Sequence, residues 1–372
     1  MAKARTKILH VVFSLEPGGM ENGLVNVASR LNREEFEVHV CCLERGGDFI
    51  QRLPEPANVS ILNKPSGFSL RTIAALAKVI SRIKPNLIHS HNLGPLIYSY
   101  LATGMGLSCP ILQGEHGLPE PQRAPKYLRQ RRIFYRGCRR IHTVSRGLRE
   151  DLIGLGMPAS KIIVIQNGVD TERFVPANPL KAREEIGLST GGPVLGVVGR
   201  FDVLKRHSEL IDAFAQLPEP FCDAQLLIVG DGGSEFERVK EKVRTHSAKN
   251  RIHMIGFKSE PRPYYQAMDL LVIPSLLEGM SNVVLEAMAC GVPVLGHNAC
   301  GNAEIIQNGR NGVIADLSSV DELKLHLTKT LSHRAHLLEI GAAGRQNVLE
   351  RFSMRNMVDN YESVYRELAA QN

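Results

Sequence analysis

No apolar run in the 372-residue sequence approaches the ~20 residues needed to cross a bilayer, so nothing in it reads as a membrane span. The seven cysteines (Cys41, Cys42, Cys109, Cys138, Cys222, Cys290 and Cys300) include no C-x-x-C pair. Most lie inside apolar strand or helix patterns, which reads as small buried hydrophobes in a reducing compartment and points to the cytoplasm. Low-complexity tracts and collagen-like or coiled-coil periods are absent. Lys3, Arg5 and Lys7 before Ile8–Phe13 briefly imitate a signal peptide. The apolar part is too short, His10 interrupts it, and Pro17-Gly18-Gly19 follows in place of a cleavage site, so a buried first strand is expected. The G-x-G-x-x-G fingerprint is missing, and Cys41-Cys42-Leu43-Glu44 offers no convincing acid after the second strand, which argues against a dinucleotide oxidoreductase. No Asp-x-Asp pair stands ready to bridge a metal.

What is present is ordinary in bulk: 43% hydrophobic and 22% charged residues, typical of a globular protein, in a chain long enough for two domains. Short apolar runs alternate with amphipathic stretches, the pattern of a parallel sheet covered by helices. Strands are expected at Ile8–Ser14, Glu37–Leu43, Val59–Leu62, Leu87–His89, Ile111–Gly114, Ile141–Val144 and Ile162–Ile165. The turn-rich stretch from Gln166 to Pro179 marks a boundary, after which the alternation restarts at Val194–Val198. The expected organisation is an α/β chain of two doubly wound, Rossmann-like domains, residues 1–170 and 171–352, with a ligand cleft where their sheets' carboxyl ends face. A terminal segment, 353–372, carries Met354, Met357, Val358, Tyr361, Val364, Tyr365 and Leu368 at helical spacing and should pack back on a domain.

The net charge of +7 is uneven. Arg123, Lys126, Arg129, Arg131, Arg132, Arg136, Arg139, Arg140, Arg146 and Arg149 follow one another without an Asp or Glu, interleaved with Leu128, Ile133, Phe134 and Tyr135. A solvated helix face and an anionic membrane surface both fit. No nucleic-acid recognition motif accompanies the charge, so nucleic acid is not an expected partner.

Chemistry concentrates in Pro274-Ser275-Leu276-Leu277-Glu278-Gly279-Met280-Ser281-Asn282, followed by Glu286 on an apolar helix ending at Cys290-Gly291-Val292-Pro293. A carboxylate in such surroundings is costly unless hydrogen-bonded. Helical side chains lean toward the N-terminus, so Glu286 faces the loop and the first helical amides, where a ribose diol fits. A carboxylate that merely caps local backbone is the bland alternative. Arg200 and Lys205 flank a helix start after Val194–Val198, where two cations and the helix dipole suit a diphosphate. Gly230, in Val229-Gly230-Asp231-Gly232-Gly233, opens a glycine turn of a kind any doubly wound domain uses for close packing. Gly18 and Gly19, before Glu21, join the first strand to its helix and suit phosphate or acceptor. His91 and His116 each follow a strand, and Ser145 reads as a helix cap.

The Glu278-x7-Glu286 spacing between a Pro-Ser loop and Ala287-Met288-Ala289-Cys290-Gly291-Val292-Pro293 closely resembles the retaining glycosyltransferases of family 4, which have the GT-B fold. The resemblance extends over nearly the whole chain. It implies that Glu286 grips the nucleotide ribose, that Glu278 contacts the donor sugar, and that Arg200 and Lys205 neutralise the leaving diphosphate. The donor would also meet Gly18, Gly19, Gly230, Gly279, Met280, Ser281 and Asn282, His116 would lie close to the reacting sugar, and His91 and Glu21 would lie on the acceptor side. No cofactor or metal is implied; a nucleotide-diphosphate sugar such as a UDP-sugar is the co-substrate, and a glycan or lipid-linked molecule the acceptor. Gly18-Gly19-Met20-Glu21-Asn22-Gly23 and Gly114-Glu115-His116-Gly117 are similar to transferases of bacterial exopolysaccharide assembly. Many members have an aromatic residue and a glycine where Met280 and Ser281 stand, and a glycine where Arg206 follows Lys205. A nucleotide-sugar epimerase on the same frame, or a catalytically silent sugar-nucleotide sensor or scaffold, are the alternative expectations.

Overall fold

The computed structural model describes residues 4–104, 109–117 and 123–370. The chain divides into two compact units, Met1–Asn167 with Met354–Asn372, and Gly168–Ser353.

The first unit is built on β1 (Thr6–Val12), β2 (Phe36–Cys42), β3 (Val59–Ile61), β4 (Leu87–His91), β5 (Ile111–Glu115), β6 (Arg140–Thr143) and β7 (Ile162–Val164), all parallel, in the order β3-β2-β1-β4-β5-β6-β7. Both faces are covered, so β1 is apolar on either side of His10, with Ile8, Leu9, Val11 and Val12 fully buried. Helix Leu70–Ile83 starts where Ser69 Oγ accepts from the Thr72 amide at 3.2 Å and buries Ile73, Leu76, Ala77, Ile80 and Ile83. The helix Met354–Ala369 returns to this unit, packing Met354, Met357, Val358, Tyr361, Tyr365 and Leu368 against Ile8, Val27, Leu31, Leu87 and Leu112. Arg366 anchors it with two 2.8 Å bonds to Glu35.

The second unit holds β8 (Val194–Val198), β9 (Gln225–Val229), β10 (Ile252–Gly256), β11 (Leu270–Ile273), β12 (Val294–His297) and β13 (Val313–Ala315), again parallel, in the order β10-β9-β8-β11-β12-β13. In both sheets the third strand in sequence lies at one edge and the fourth pairs with the first. The winding direction therefore reverses between β1 and β4 and between β8 and β11, and a crevice opens at the strands' carboxyl ends at each reversal. Helix Arg334–Arg351 has no counterpart in the sequence reading. Its buried side mixes Leu337, Ile340 and Val348 with Gly341, Gly344 and Asn347, so its apolar stripe is interrupted. A Cβ on Gly341 would stand 2.4 Å from the Gly291 carbonyl oxygen, a close approach that only glycine permits.

Among the described residues no helix is long and apolar enough to cross a membrane. Cys41, Cys42, Cys138 and Cys290 are buried free thiols, and burial pushes each up to about 12, which leaves them inert.

Candidate active site

In the second unit the loops after β8 and β11 meet at the reversal point. The Leu276 amide donates to the Leu204 carbonyl at 3.0 Å, tying one loop to the other. This brings Lys205 Nζ within 2.6 Å of Glu278 Oε1. Two residues 73 positions apart thus form one ammonium–carboxylate site. Arg200, on the same loop as Lys205, pairs with Asp202 at 2.9 Å and is 67% exposed, so its guanidinium swings to another anion at little cost. The Glu278–Gly279 backbone rests on the start of helix Cys300–Ile305. The Gly301 amide donates to the Glu278 carbonyl at 3.2 Å, and a Cβ on Gly301 would lie 2.5 Å from the Gly279 oxygen. Met280 and Ser281 are buried, which leaves backbone as what this stretch offers a ligand.

Glu286 sits on helix Asn282–Ala289 among Val284, Leu285, Ala287 and Met288. Its stabilising partner is Tyr265, fully buried on helix Arg262–Gln266, whose hydroxyl donates to Oε2 at 2.7 Å. Burial pushes the carboxyl up to about 7, against the pull of the Tyr265 bond and of the nearby Arg173 charge. Ser281, the residue before the helix, makes no side-chain cap, so the first amides depend on other partners.

Gly230 adopts φ 151, its amide donates to Gly256 at 3.0 Å, and a Cβ there would stand 2.0 Å from the Gly199 oxygen. Close packing of the loops after β8 and β9 accounts for this glycine.

The first unit answers with imidazoles. Along β1, β4 and β6 the side chains of His10, His89, His91 and His142 share one sheet face, since His10 is registered with His89, and Gly114 lies between His91 and His142. All four are at most 3% exposed, and Tyr361 and Tyr365 cover them. His89 Nε2 lies 2.9 Å from His142 Nε2 and His89 Nδ1 lies 2.9 Å from the Tyr365 hydroxyl. His116, half-buried just after β5, joins through His91 Nδ1 at 3.1 Å. Gly114 makes this possible: a Cβ there would stand 2.6 Å from His142 Nε2 and 3.1 Å from His116 Nε2. Desolvation holds His10 at about 3 and His116 at about 4, with His89, His91 and His142 also far below their ordinary value, so the cluster is uncharged at neutral pH. Sequence spacing singles out His91 and His116, with His10 as an interruption of an apolar run; His10, His89 and His142 join them through the register of β1, β4 and β6, with Gly114 of β5 between the last two. Nitrogens of His10, His89 and His91 also lie within 4.8 Å of one another, a separation that a metal ion could bridge.

Gly18 and Gly19 begin helix Gly19–Arg30 after β1. The Glu21 carboxylate folds back over Gly18, where a Cβ would be 2.3 Å from Oε2, and so lies at the positive end of the helix dipole. Ser145 accepts from the Leu148 amide at 3.2 Å, as a helix cap.

Residues 17–173 match the family model described as Glycosyltransferase Family 4, and residues 180–347 match that described as Glycosyl transferases group 1. This chain belongs to the group 1, family 4 glycosyltransferases. An N-acetyl-alpha-D-glucosaminyl L-malate synthase of Bacillus anthracis is 26% identical over 81% of this chain and 80% of its own length. A UDP-Gal:alpha-D-GlcNAc-diphosphoundecaprenol alpha-1,3-galactosyltransferase of Escherichia coli is 25% identical over 98% of both chains. The crystal structure of Anabaena Alr3699/HepE with UDP and glucose superposes with a TM-score of 0.86 at 23% identity, over 98% of this chain and all of that one, and shows the common fold.

Within this glycosyltransferase the unusual Arg206 is explained by its surroundings. It adopts the left-handed conformation, φ 57, that glycine favours, and its guanidinium is buried against the carbonyls of Leu317 and Ser318 and beside Glu209. These bonds offset a backbone cost of ~1 kcal/mol. The basic stretch also proves heterogeneous. Arg131 and Glu115 form an ion pair at 3.2 Å with both side chains fully buried, beside the buried Tyr135. Arg123 pairs with Asp151, Arg140 with Glu367 and Arg149 with Glu150. Arg131 and Tyr135 therefore belong to the core, and the outward face of helix Pro125–Gly137 is carried by Lys126, Arg129, Arg132, Ile133 and Arg136.

Proposed function

We propose that the chain transfers a hexose from a UDP-sugar to a lipid-linked glycan, with retention of the anomeric configuration and without a metal, in the assembly of a bacterial surface or exopolysaccharide. The observation that carries this is the Lys205–Glu278 pair at the reversal point of the second unit. A diphosphate arriving there finds Lys205 and Arg200 to neutralise its charge, which is the task a divalent metal would otherwise perform. Glu278, relieved of part of its pairing with Lys205, accepts hydroxyls of the donor sugar, while Glu286 accepts from the ribose diol beside Tyr265. Gly18, Gly19, Glu21, His91 and His116 serve the acceptor and the reacting sugar from the first unit, His91 acting through His116 because it is itself buried. Retention is supported by the position of the Glu21 carboxylate, which folds back over Gly18 at the start of its own helix and is engaged there, not placed as a base on an acceptor hydroxyl.

The lipid-linked acceptor is supported by the Escherichia coli relative, whose substrate is a diphosphoundecaprenol and whose match runs end to end. The cations of helix Pro125–Gly137 suit an anionic membrane surface, at ~1 kcal/mol each. A second reading, a small carboxylic-acid acceptor, is favoured by the Bacillus anthracis relative. A thermal-shift panel of UDP, GDP and ADP and their sugars identifies the donor, with UDP expected to stabilise most. Transfer should survive excess EDTA, and proton NMR should show an α-linked product from an α-linked donor. Loss of activity in chelator with rescue by manganese, or a β-linked product, would each overturn its part of the reading. Anionic vesicles should pellet the protein at low salt, and replacing Arg129, Arg132 and Arg136 by glutamine should abolish pelleting without changing UDP affinity.

A further inference from the structure

Three imidazoles of the first unit run in single file. His10 Nδ1 lies 3.0 Å from His91 Nε2, and His91 Nδ1 lies 3.1 Å from His116 Nε2. His10 and His91 are 1% and 3% exposed, while His116 is half-buried. The inner end of the file is His10 Nε2, a buried nitrogen without a hydrogen-bond partner. The outer end is His116 Nδ1.

A neutral imidazole carries one N–H and one lone pair, so the file has two fully bonded states. In the first, His10 Nδ1–H donates to His91, His91 Nδ1–H donates to His116 Nε2, and His116 keeps its own proton on Nδ1. In the second every proton is shifted: His116 Nε2–H donates inward, His91 Nε2–H donates to His10, and His10 is left with an Nε2–H buried against no acceptor. Buried N–H groups without an acceptor are the rarer defect in folded proteins, since the donor forfeits its bonds to water; an unfilled lone pair is better tolerated. The inner end of the file therefore selects the first state. A cationic third state is disfavoured by the same burial, which depresses the basicity of all three rings.

We propose that His10 and His91 are positioning residues that hold His116 as the neutral Nδ1–H tautomer, so that His116 meets the substrate as a hydrogen-bond donor to a sugar oxygen and not as a base. This rests on the reading above that His116 touches the reacting sugar. It adds a direction to that contact: the hydrogen bond polarises an oxygen on the sugar and removes no proton from it. Gly114 is part of the device, because a Cβ there would stand 2.6 Å from His142 Nε2 and press on His116 Nε2 at 3.1 Å.

The test is a nitrogen-15 spectrum of protein labelled in its histidine rings, where protonated and unprotonated ring nitrogens resonate far apart. Wild-type His116 should show Nδ1–H with an unprotonated Nε2. His91→Leu should release it to the Nε2–H form or to an exchanging mixture. His91→Asn, whose amide N–H replaces the lost Nδ1–H, should restore it. Turnover should follow: kcat down about 10- to 100-fold in His91→Leu, donor KM within about twofold, and most of the loss recovered in His91→Asn. If His91→Leu does not fold, His10→Leu against His10→Asn makes the same comparison one ring further in. An Nε2–H on wild-type His116, or a tautomer unmoved by either leucine variant, overturns the proposal. So does stoichiometric bound metal with the His10 and His91 nitrogens shifted, since an ion would take the lone pairs that the file needs. A wild-type protein that transfers no sugar would instead remove the functional reading, and the spectrum would still decide the tautomer.

Discussion

The two units share a strand order up to the last strand, yet their reversal points carry opposite chemistry. In the second unit the crevice between β8 and β11 is lined with charge: Lys205 against Glu278, and Arg200 swinging from Asp202. In the first, the crevice between β1 and β4 is backed by five imidazoles held uncharged by burial. The first unit does contain strong charge, but on the other face of its sheet, where Arg131 and Glu115 are sealed in the core. One fold thus exposes charge at one reversal point and, in the other unit, buries it within the scaffold.

That contrast is most severely tested by removing one cation from each unit. Arg131→Ala leaves Glu115 uncompensated in the core and should cost the first unit ~3–5 kcal/mol of stability, seen as a lower melting temperature with UDP affinity retained. Lys205→Ala should do the reverse, leaving the melting temperature nearly unchanged and lowering kcat by about 10²–10³, the loss typical of one preorganised electrostatic contact. If Lys205→Ala unfolds the protein and Arg131→Ala only slows it, the division between scaffold charge and site charge is wrong.

Glu286 sharpens the comparison, because burial contests its charge at the second unit's candidate site. Its carboxyl is neutral below about 7 and ionised above it, and a ribose diol donates better to the ionised form. UDP affinity measured by calorimetry should therefore rise with pH through about 7 and fall by up to about tenfold per unit below it. Glu286→Gln should flatten that dependence; a profile unchanged by the substitution would remove the ribose assignment. For folding the sign is opposite: the native state holds this proton more tightly than the unfolded chain, so the group's contribution to stability declines as pH rises from the ordinary carboxylate range toward 7. The smallest effect belongs to ordinary helix chemistry. Ser145→Ala should cost ~1 kcal/mol by loss of the cap on helix Arg146–Gly154, read in thermal melts, with no change in transfer.

The alternating pattern made the strands legible because both faces of a parallel sheet are apolar, and most expected strands fall within two residues of those observed. Helix Leu70–Ile83 carries equally local signals, an apolar stripe and the Ser69 cap. Helix Arg334–Arg351 was not legible, because Gly341, Gly344 and Asn347 break up its buried side and part of the contact is made through backbone proximity. The basic stretch misled for the complementary reason: sequence spacing shows that Arg131 is charged, but not that Glu115 waits inside the core to pair with it.

The sequence by itself determined the α/β class of two doubly wound units and the residue types of the candidate site, because hydrophobic period and a short motif such as Glu278-x7-Glu286 are local properties of the chain. Only the tertiary structure decided which of those residues act together. Lys205 and Glu278 are neighbours because two loops share a backbone hydrogen bond across the β8–β11 reversal. His10, His89, His91 and His142 are neighbours because parallel register places side chains from three strands on one face, His116 joins them from the end of β5, and a helix from the far end of the chain seals them. Burial then sets what each group is, holding the imidazoles neutral and pushing the Glu286 carboxyl up to about 7, a state that depends on the solvent each loses on folding and that no local pattern encodes.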